Sequence, residues 1–247
     1  QYYYGINTNR IHQKGKQYFF TIDKENYAFI PIDRSLEEAK IIYELNKTLL
    51  SKKIYSHEII ANNTGQIITF VNQIPYALLK TRVKNDDVII LNDIIYFQVN
   101  TKLSQDYTIL NRANWYQLWT TKIDYFEYQV SQLSKKYPRV QESFSYFVGL
   151  AEASIALFKV LNKEKKDAYC ISHKRVNYKE TLFELYNPFN YIIDIVPRDA
   201  SEYFKSSFLD KEDVINDIVY YIQYSKLTEY ELQMFFVRML FPTFYFD

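Results

Sequence analysis

Apolar and polar positions follow a short period in the first third of the chain and a longer one after it. Residues 17–22 and 27–32 are runs rich in aromatic and β-branched side chains, parted by the polar stretch Asp23-Lys24-Glu25-Asn26. This pattern predicts a hairpin. Pro31 has no N–H to give a neighbouring strand, so it needs an edge position or the end of its strand. Ser35-Leu36-Glu37-Glu38 has the form of a capping box, and Ala39, Ile42, Leu45 and Leu49 then recur at helical spacing. A strand pair is expected at about 58–62 and 66–71, turned at Asn63-Thr64-Gly65, with a further strand near 76–81 after Pro75.

After about Lys84 the pattern becomes helical. Residues 88–99 are apolar enough for a buried helix, and 115–135 read as a long amphipathic one. Residues 142–161 carry Phe144, Phe147, Ala151, Ile155 and Phe158 along one stripe. Two more helices are expected: 211–224, and a last one opened by Thr228-Glu229-Tyr230-Glu231 and stopped at Pro242. Residues 169–198 show no clear period and read as irregular, the kind of segment that carries function on a rigid scaffold. The reading is an α+β chain in two lobes. Residues 1–84 form an antiparallel sheet plus one helix, and 85–247 form a larger helical part, with no repeat and no low-complexity linker.

Composition narrows the function. The net charge of +1 gives no footprint for nucleic acid. The charge run from Lys163 to Asp167 has both signs and reads as a solvated loop. The single cysteine, Cys170, allows no disulfide or cysteine zinc site within the chain and fits a reducing compartment. No apolar run is expected to reach transmembrane length, and the start does not read as a signal peptide. The apolar end, residues 239–246, reads as packed. Gly5, Gly15, Gly65 and Gly149 are isolated, so no P-loop, dinucleotide fingerprint or glycine-rich kinase loop can be written. The 25 tyrosines and 18 phenylalanines read as sheet and core packing, or an AT-rich genome, ahead of cross-linking.

Four segments carry a resemblance: residues 142–152, Ser172-His173-Lys174-Arg175, residues 194–203 with Arg198-Asp199, and residues 236–247. Together they resemble the spore-coat branch of the aminoglycoside-phosphotransferase, protein-kinase-like superfamily. The match covers most of the chain and is specific from about Trp115 onward. It implies a bilobal kinase fold with a small sheet-plus-helix N-lobe. An active member of such a superfamily has a His-x-Asp motif whose Asp positions and deprotonates the acceptor hydroxyl. The resemblance sets His173, Lys174 and Arg175 there, and an arginine cannot accept a proton at physiological pH. The magnesium-holding asparagine, a little further on, is matched to Thr181. The second metal ligand is matched to Asn187, with Phe189 at the neighbouring carboxylate, although magnesium wants hard anionic oxygens. The phosphate-gripping lysine is missing from 27–32, while Glu37 or Glu38 remains as its partner. A cation within ~5 Å of a divalent ion is repelled by roughly 6–7 kcal/mol at an effective dielectric of about 20.

The expectation is therefore a catalytically inactive pseudokinase. It would bind no cofactor or metal, act as a structural or interaction protein with other coat or scaffold proteins, and reside in the mother-cell cytoplasm or the spore coat. No nucleic acid and no membrane span are expected. Two alternatives stay open. One is an atypical small-molecule phosphotransferase using Glu180, Glu184 and Asp194. The other is a nucleotide- or anion-binding sensor with Lys174 and Arg175 on phosphate. His173 reads as a structural loop histidine before a catalytic one, and Lys174 with Arg175 as a salt-bridged or solvated pair before an anion pocket. Arg198 and Asp199 read as structural, with Asp199 capping a helix from Ala200 and Glu202 completing the box, and the resemblance implies that Asp199 also supports the backbone of the catalytic loop. His57-Glu58 begins like a zinc-protease motif but has no second histidine at the required spacing. Cys170 reads as a small buried residue before a nucleophile paired with His173. Trp115 and Trp119 read as packing.

Overall fold

The computed structural model describes residues 2–8, 10–83, 86–103, 108–133, 136–162, 169–208, 210–211 and 213–246. The charge run 163–167 and the boundary residue Lys84 lie outside them. The chain divides into two units: residues 1–90 with 179–191, and residues 91–178 with 192–247. The sequence boundary at 84/85 therefore moves to 90/91, and a piece assigned to the helical part belongs to the first unit. Its hydrogen bonds give the reason: Leu182 N–H donates to Asp87 O at 2.7 Å, Ile89 N–H to Glu180 O at 2.8 Å, and His57 N–H to Tyr186 O at 2.9 Å.

Unit 1 is built on a six-stranded antiparallel sheet. Its strands are β1 (Ile11–Lys14), β2 (Gln17–Ile22), β3 (Glu25–Pro31), β4 (Glu58–Ile60), β5 (Thr69–Val71) and β6 (Ile74–Thr81). They are ordered β1-β2-β3-β6-β4, with β5 also on β6. The expected hairpin is β2–β3, and its turn residues Asp23 and Lys24 both take positive φ. Pro31 ends β3. The expected pairing of 58–62 with 66–71 is corrected: β4 and β5 each pair with β6. β6 is the mostly buried strand on which both shorter strands pair, and β4 buries Ile59 there.

Helix α1 (Leu36–Ser51) opens with the predicted box. Ser35 Oγ accepts from Glu38 N–H, and Glu38 reaches back to Ser35 N–H. It buries Ala39, Ile42, Leu45 and Leu49 as its spacing requires. It also buries Asn46, whose amide donates to Ser56 Oγ and His57 O and accepts from Ile59 N–H. A buried amide needs its full set of partners, and these join α1 to β4.

Unit 2 contains α2 (Leu91–Asn100), β7 (Lys102–Leu103), α3 (Trp115–Leu133), α4 (Pro138–Leu161) and β8 (Tyr169–His173). After α5 (Leu182–Leu185), which lies in unit 1, come β9 (Tyr191–Ile195), α6 (Arg198–Ser207), α7 (Val214–Tyr224) and α8 (Glu229–Leu240). β9 begins on the last residue of unit 1 and completes the sheet β7-β8-β9. The stretch 169–198 is thus not irregular: it holds two strands, β8 and β9. α8 carries the second predicted capping box at Thr228 and Glu231.

Trp115 and Trp119 sit in the unit 2 core with Phe158, and Trp119 stacks on Phe241 at 4.4 Å. By length and composition α4 is apolar enough to cross a membrane, contrary to the expectation that no run reaches that length. Its Ala151, Ser154 and Phe158 are buried, and the helix packs on α3 and α8.

Candidate functional site

The motif residues fall in different units, His173 to Arg175 with Arg198 and Asp199 in unit 2, and Thr181, Asn187 and Phe189 in unit 1. In unit 2, His173 ends β8 and is buried. Asp199, in the first turn of α6, grips it twice: Oδ1 accepts from His173 N–H at 3.2 Å, and Oδ2 lies 2.6 Å from His173 Nδ1. The ring of Phe97 packs on the imidazole at 4.9 Å.

Arg198 ties the two strand ends together. Its guanidinium donates to His173 O and to Lys174 O, and pairs with Asp199 Oδ1 at 3.0 Å and Asp194 Oδ2 at 2.9 Å. Asp194, on β9, also accepts from Trp115 Nε1 at 2.8 Å and Ile195 N–H at 2.7 Å.

The expected cap is corrected here. The helix starts at Arg198 after Pro197, and Asp199 is turned to the histidine. Glu202 does not complete a box either; it pairs with Arg238 Nε at 2.7 Å and Lys205 Nζ at 3.0 Å. Arg238 in turn lies over the Trp115 ring, 4.7 Å from its centroid.

These charges are arranged for mutual neutralisation. Burial pushes Asp194 up to about 6, with Arg198 and Arg238 opposing. Burial also works against Asp199 and Glu202, but partners outweigh it. His173 and Arg198 hold Asp199 below the usual carboxylate range, and Arg238, Lys205 and Arg198 bring Glu202 down to about 2. Burial brings Lys205 down to about 8 against the pull of Glu202. Paired in this way, buried charges hold segments in register.

Lys174 and Arg175 follow the histidine and are both exposed. Val176 is buried directly after them, which fixes the loop beneath Arg175. Cys170 is buried, with its sulfur 3.4 Å from Ser172 Oγ and 3.7 Å from Val196 O. Burial raises its thiol far above the ordinary range, the reverse of what an activated nucleophile needs.

In unit 1, Thr181 forms a bridge with Val88 and precedes α5. It stands one residue beyond the spacing of the motif's metal-holding asparagine. The motif places that asparagine five residues past the base, which from Arg175 is Glu180, while Thr181 is the sixth. Glu180 Oε1 lies 3.3 Å from Thr181 N. Asn187 is buried, and its Oδ1 accepts from Phe189 N–H at 3.1 Å to cap the turn Pro188–Asn190. Phe189 is buried and its carbonyl takes the Arg34 Nε hydrogen bond at 2.9 Å. Arg34 also donates to Tyr191 O and pairs with Glu38, so Glu38 is engaged within its own helix start. Glu184 accepts from Asn190 Nδ2 at 2.6 Å.

His57, singled out with Glu58 by its sequence, is a buried structural ring. Nδ1 accepts from Arg82 N–H, Nε2 faces Phe183 O at 3.1 Å, and burial lowers the imidazole to about 4. Among the described residues no group of three or more His, Cys, Asp or Glu is placed to hold a metal ion. Within unit 1, Asn187 uses its side-chain oxygen as a cap and Phe189 has none, so neither supplies the anionic oxygen that magnesium favours.

A five-plus-one-stranded sheet with one helix, followed by helices and a His-anchored loop, defines the kinase-like phosphotransferase fold. An aminoglycoside phosphotransferase from Alicyclobacillus acidocaldarius superposes with a TM-score of 0.74 over 98% of this chain and 82% of its own, at 10% identity. Spectinomycin phosphotransferase APH(9)-Ia, with ADP and spectinomycin, gives 0.58 over 96% and 82%, at 13% identity. Within that fold, the family described as "Spore coat putative kinase YutH" matches residues 1–247, and the chain belongs to it. The endospore coat-associated protein YutH of Bacillus subtilis (strain 168) is 26% identical over 154 residues, 55% of this chain and 45% of that relative. The match thus spans less than half of the relative's length.

Proposed function

We propose that this chain is a catalytically silent kinase-fold protein that works by binding other proteins in spore-coat assembly, in the mother-cell cytoplasm or the coat itself. One observation carries the reading. Two residues past the anchored His173, where the fold's base belongs, stands Arg175, exposed and without a carboxylate partner among the described residues. A guanidinium neither takes the acceptor's proton nor tolerates a nearby divalent ion. The absence of a lysine from β3 and the engagement of Asn187 as a cap point the same way. Retention of Asp199 and Arg198 as scaffold fits a selection that acts on the fold. Coat association rests on the family and on the name of the curated relative.

The test is ATP turnover and thermal shift with magnesium-ATP on the purified chain, expected to show neither. Arg175→Asp is expected to stay inactive, since the lysine and the second metal ligand are still lacking. Phosphotransfer by either protein would sink the reading. Glu180, a carboxylate at five residues from Arg175, favours a second one: a phosphotransferase with a rearranged metal site. Its signature would be magnesium-dependent turnover abolished by Glu180→Gln.

A further inference from the structure

In a kinase fold the first hairpin covers the phosphates, the third strand grips them, and residues just past the catalytic loop hold the metal. On the kinase-fold reading, a nucleotide base would be seated against the inner face of β2–β3, near the segment following Glu180. Both walls belong to unit 1. Register sets Phe19 opposite Ala28, Ala28 opposite Leu79 and Leu79 opposite Ile59, so the four share one face.

What meets that face is Phe183, three residues past Glu180. Its ring centroid is 5.5 Å from that of Phe19, edge to face at 74°. Ala28 is 0% exposed and Phe183 3%. A planar ring held between two walls needs ~7 Å, two contacts of about 3.5 Å each, and an edge-to-face pair in contact leaves no such slot. His57 backs Phe183 at 4.9 Å between ring centroids and is bonded to its carbonyl, so the phenyl ring is fixed on both sides.

Building on the kinase-fold reading, we infer that Phe19 and Phe183 occupy the seat of the nucleotide base, so that unit 1 carries its own aromatic filler and takes up no purine. An open groove of about 920 Å³ runs beside Phe19, walled also by His12, Phe20, Tyr27 and Asp86. Phe19 lines that groove and its ring touches Phe183, so removal of either ring is expected to open a slot for a planar heterocycle.

The full chain is titrated with adenosine and with ATP, each with and without magnesium, and followed by thermal melting. The wild type is expected to show no shift up to millimolar adenosine. Phe183→Ala, and separately Phe19→Ala at the groove edge, are expected to melt lower and to regain several degrees with adenosine. Phe158→Ala, a comparable cavity in unit 2, is expected to regain none. A wild-type shift, a folded unit 1 variant that gains nothing, or equal rescue of Phe158→Ala would each overturn the inference. Should neither unit 1 variant fold, photolabelling of the wild type with 8-azidoadenosine decides: competed label on unit 1 peptides refutes, and its absence upholds. Adenosine binding without ATP turnover would sink this inference alone, whereas turnover would sink the catalytically silent reading.

Discussion

The two units secure their motif-bearing segments by opposite means. In unit 1 the segment 179–191 is held by aromatic packing of Phe183 on Phe19 and His57 and by hydrogen bonds to backbone. In unit 2 the end of β8 is held by charge, with Asp199, Arg198 and Asp194 around His173 and with Glu202, Lys205 and Arg238 further along. Apolar packing tolerates change in proportion to the cavity left behind. A charged cluster is all or nothing, because removal of one member leaves another buried and uncompensated. The anchored loop is therefore held by contacts among buried charges, apart from the exposed Lys174 and Arg175 that follow it.

The comparison breaks most readily at Asp199. Asp199→Ala strips Arg198 of one carboxylate and His173 of its two contacts with that side chain. It is expected to cost about 3–5 kcal/mol in urea unfolding, well above what Arg175→Ala does at the exposed position beside it. Near-equal losses would mean that the charge cluster does not hold the loop.

Acid sharpens the contrast. His57 has a lowered imidazole, so its contribution is present above about 6.5 and is lost as pH falls through about 4, roughly 3 kcal/mol in all. Asp194 is raised, so its contribution is present below its unfolded value of 3.8 and is lost as pH rises through about 6. Between pH 6.5 and 4.5 unit 1 should loosen while unit 2 does not. Hydrogen exchange resolved by segment measures this, and His57→Phe should flatten the slope in unit 1. Faster exchange in unit 2 over that window would contradict the assignment.

The smallest effect is a control on both sides. Ser35→Ala and Thr228→Ala each remove a capping-box hydroxyl and should cost about 1 kcal/mol in thermal melts, alike in the two units. A cap worth several times more in one unit would mean that its helix start is tied into the tertiary cluster.

Local chemistry was legible wherever it was local. The 17–31 hairpin, the boxes at Ser35 and Thr228, and the buried pair Trp115–Trp119 all follow from residues within one turn of each other. Strands β8 and β9 were missed because nearly every residue in them is buried, so no alternation marks them. The partner of β4 was misjudged because adjacency in sequence suggested β5 while burial favoured β6. Asp199 looks like a cap because it stands at a helix start, and no pattern within the helix points to a histidine 26 residues upstream; only the family resemblance implies its hold on the loop backbone, which the bond from His173 N–H bears out. Thr181 stands six residues past Arg175, and Glu180 stands at the five-residue spacing of the motif. Phe183 carried no signal at all, since a phenylalanine in a short apolar run gives no hint of which face it will meet.

The amino-acid sequence by itself determined helix starts, turn positions and the change from sheet to helix, because each depends on near neighbours. Only the tertiary structure decided that Phe183 meets Phe19, that Asp199 grips His173, and that residues 179–191 belong with the sheet. Those outcomes depend on which distant surfaces can be buried together with every polar group paired, a condition that no local window of the chain contains.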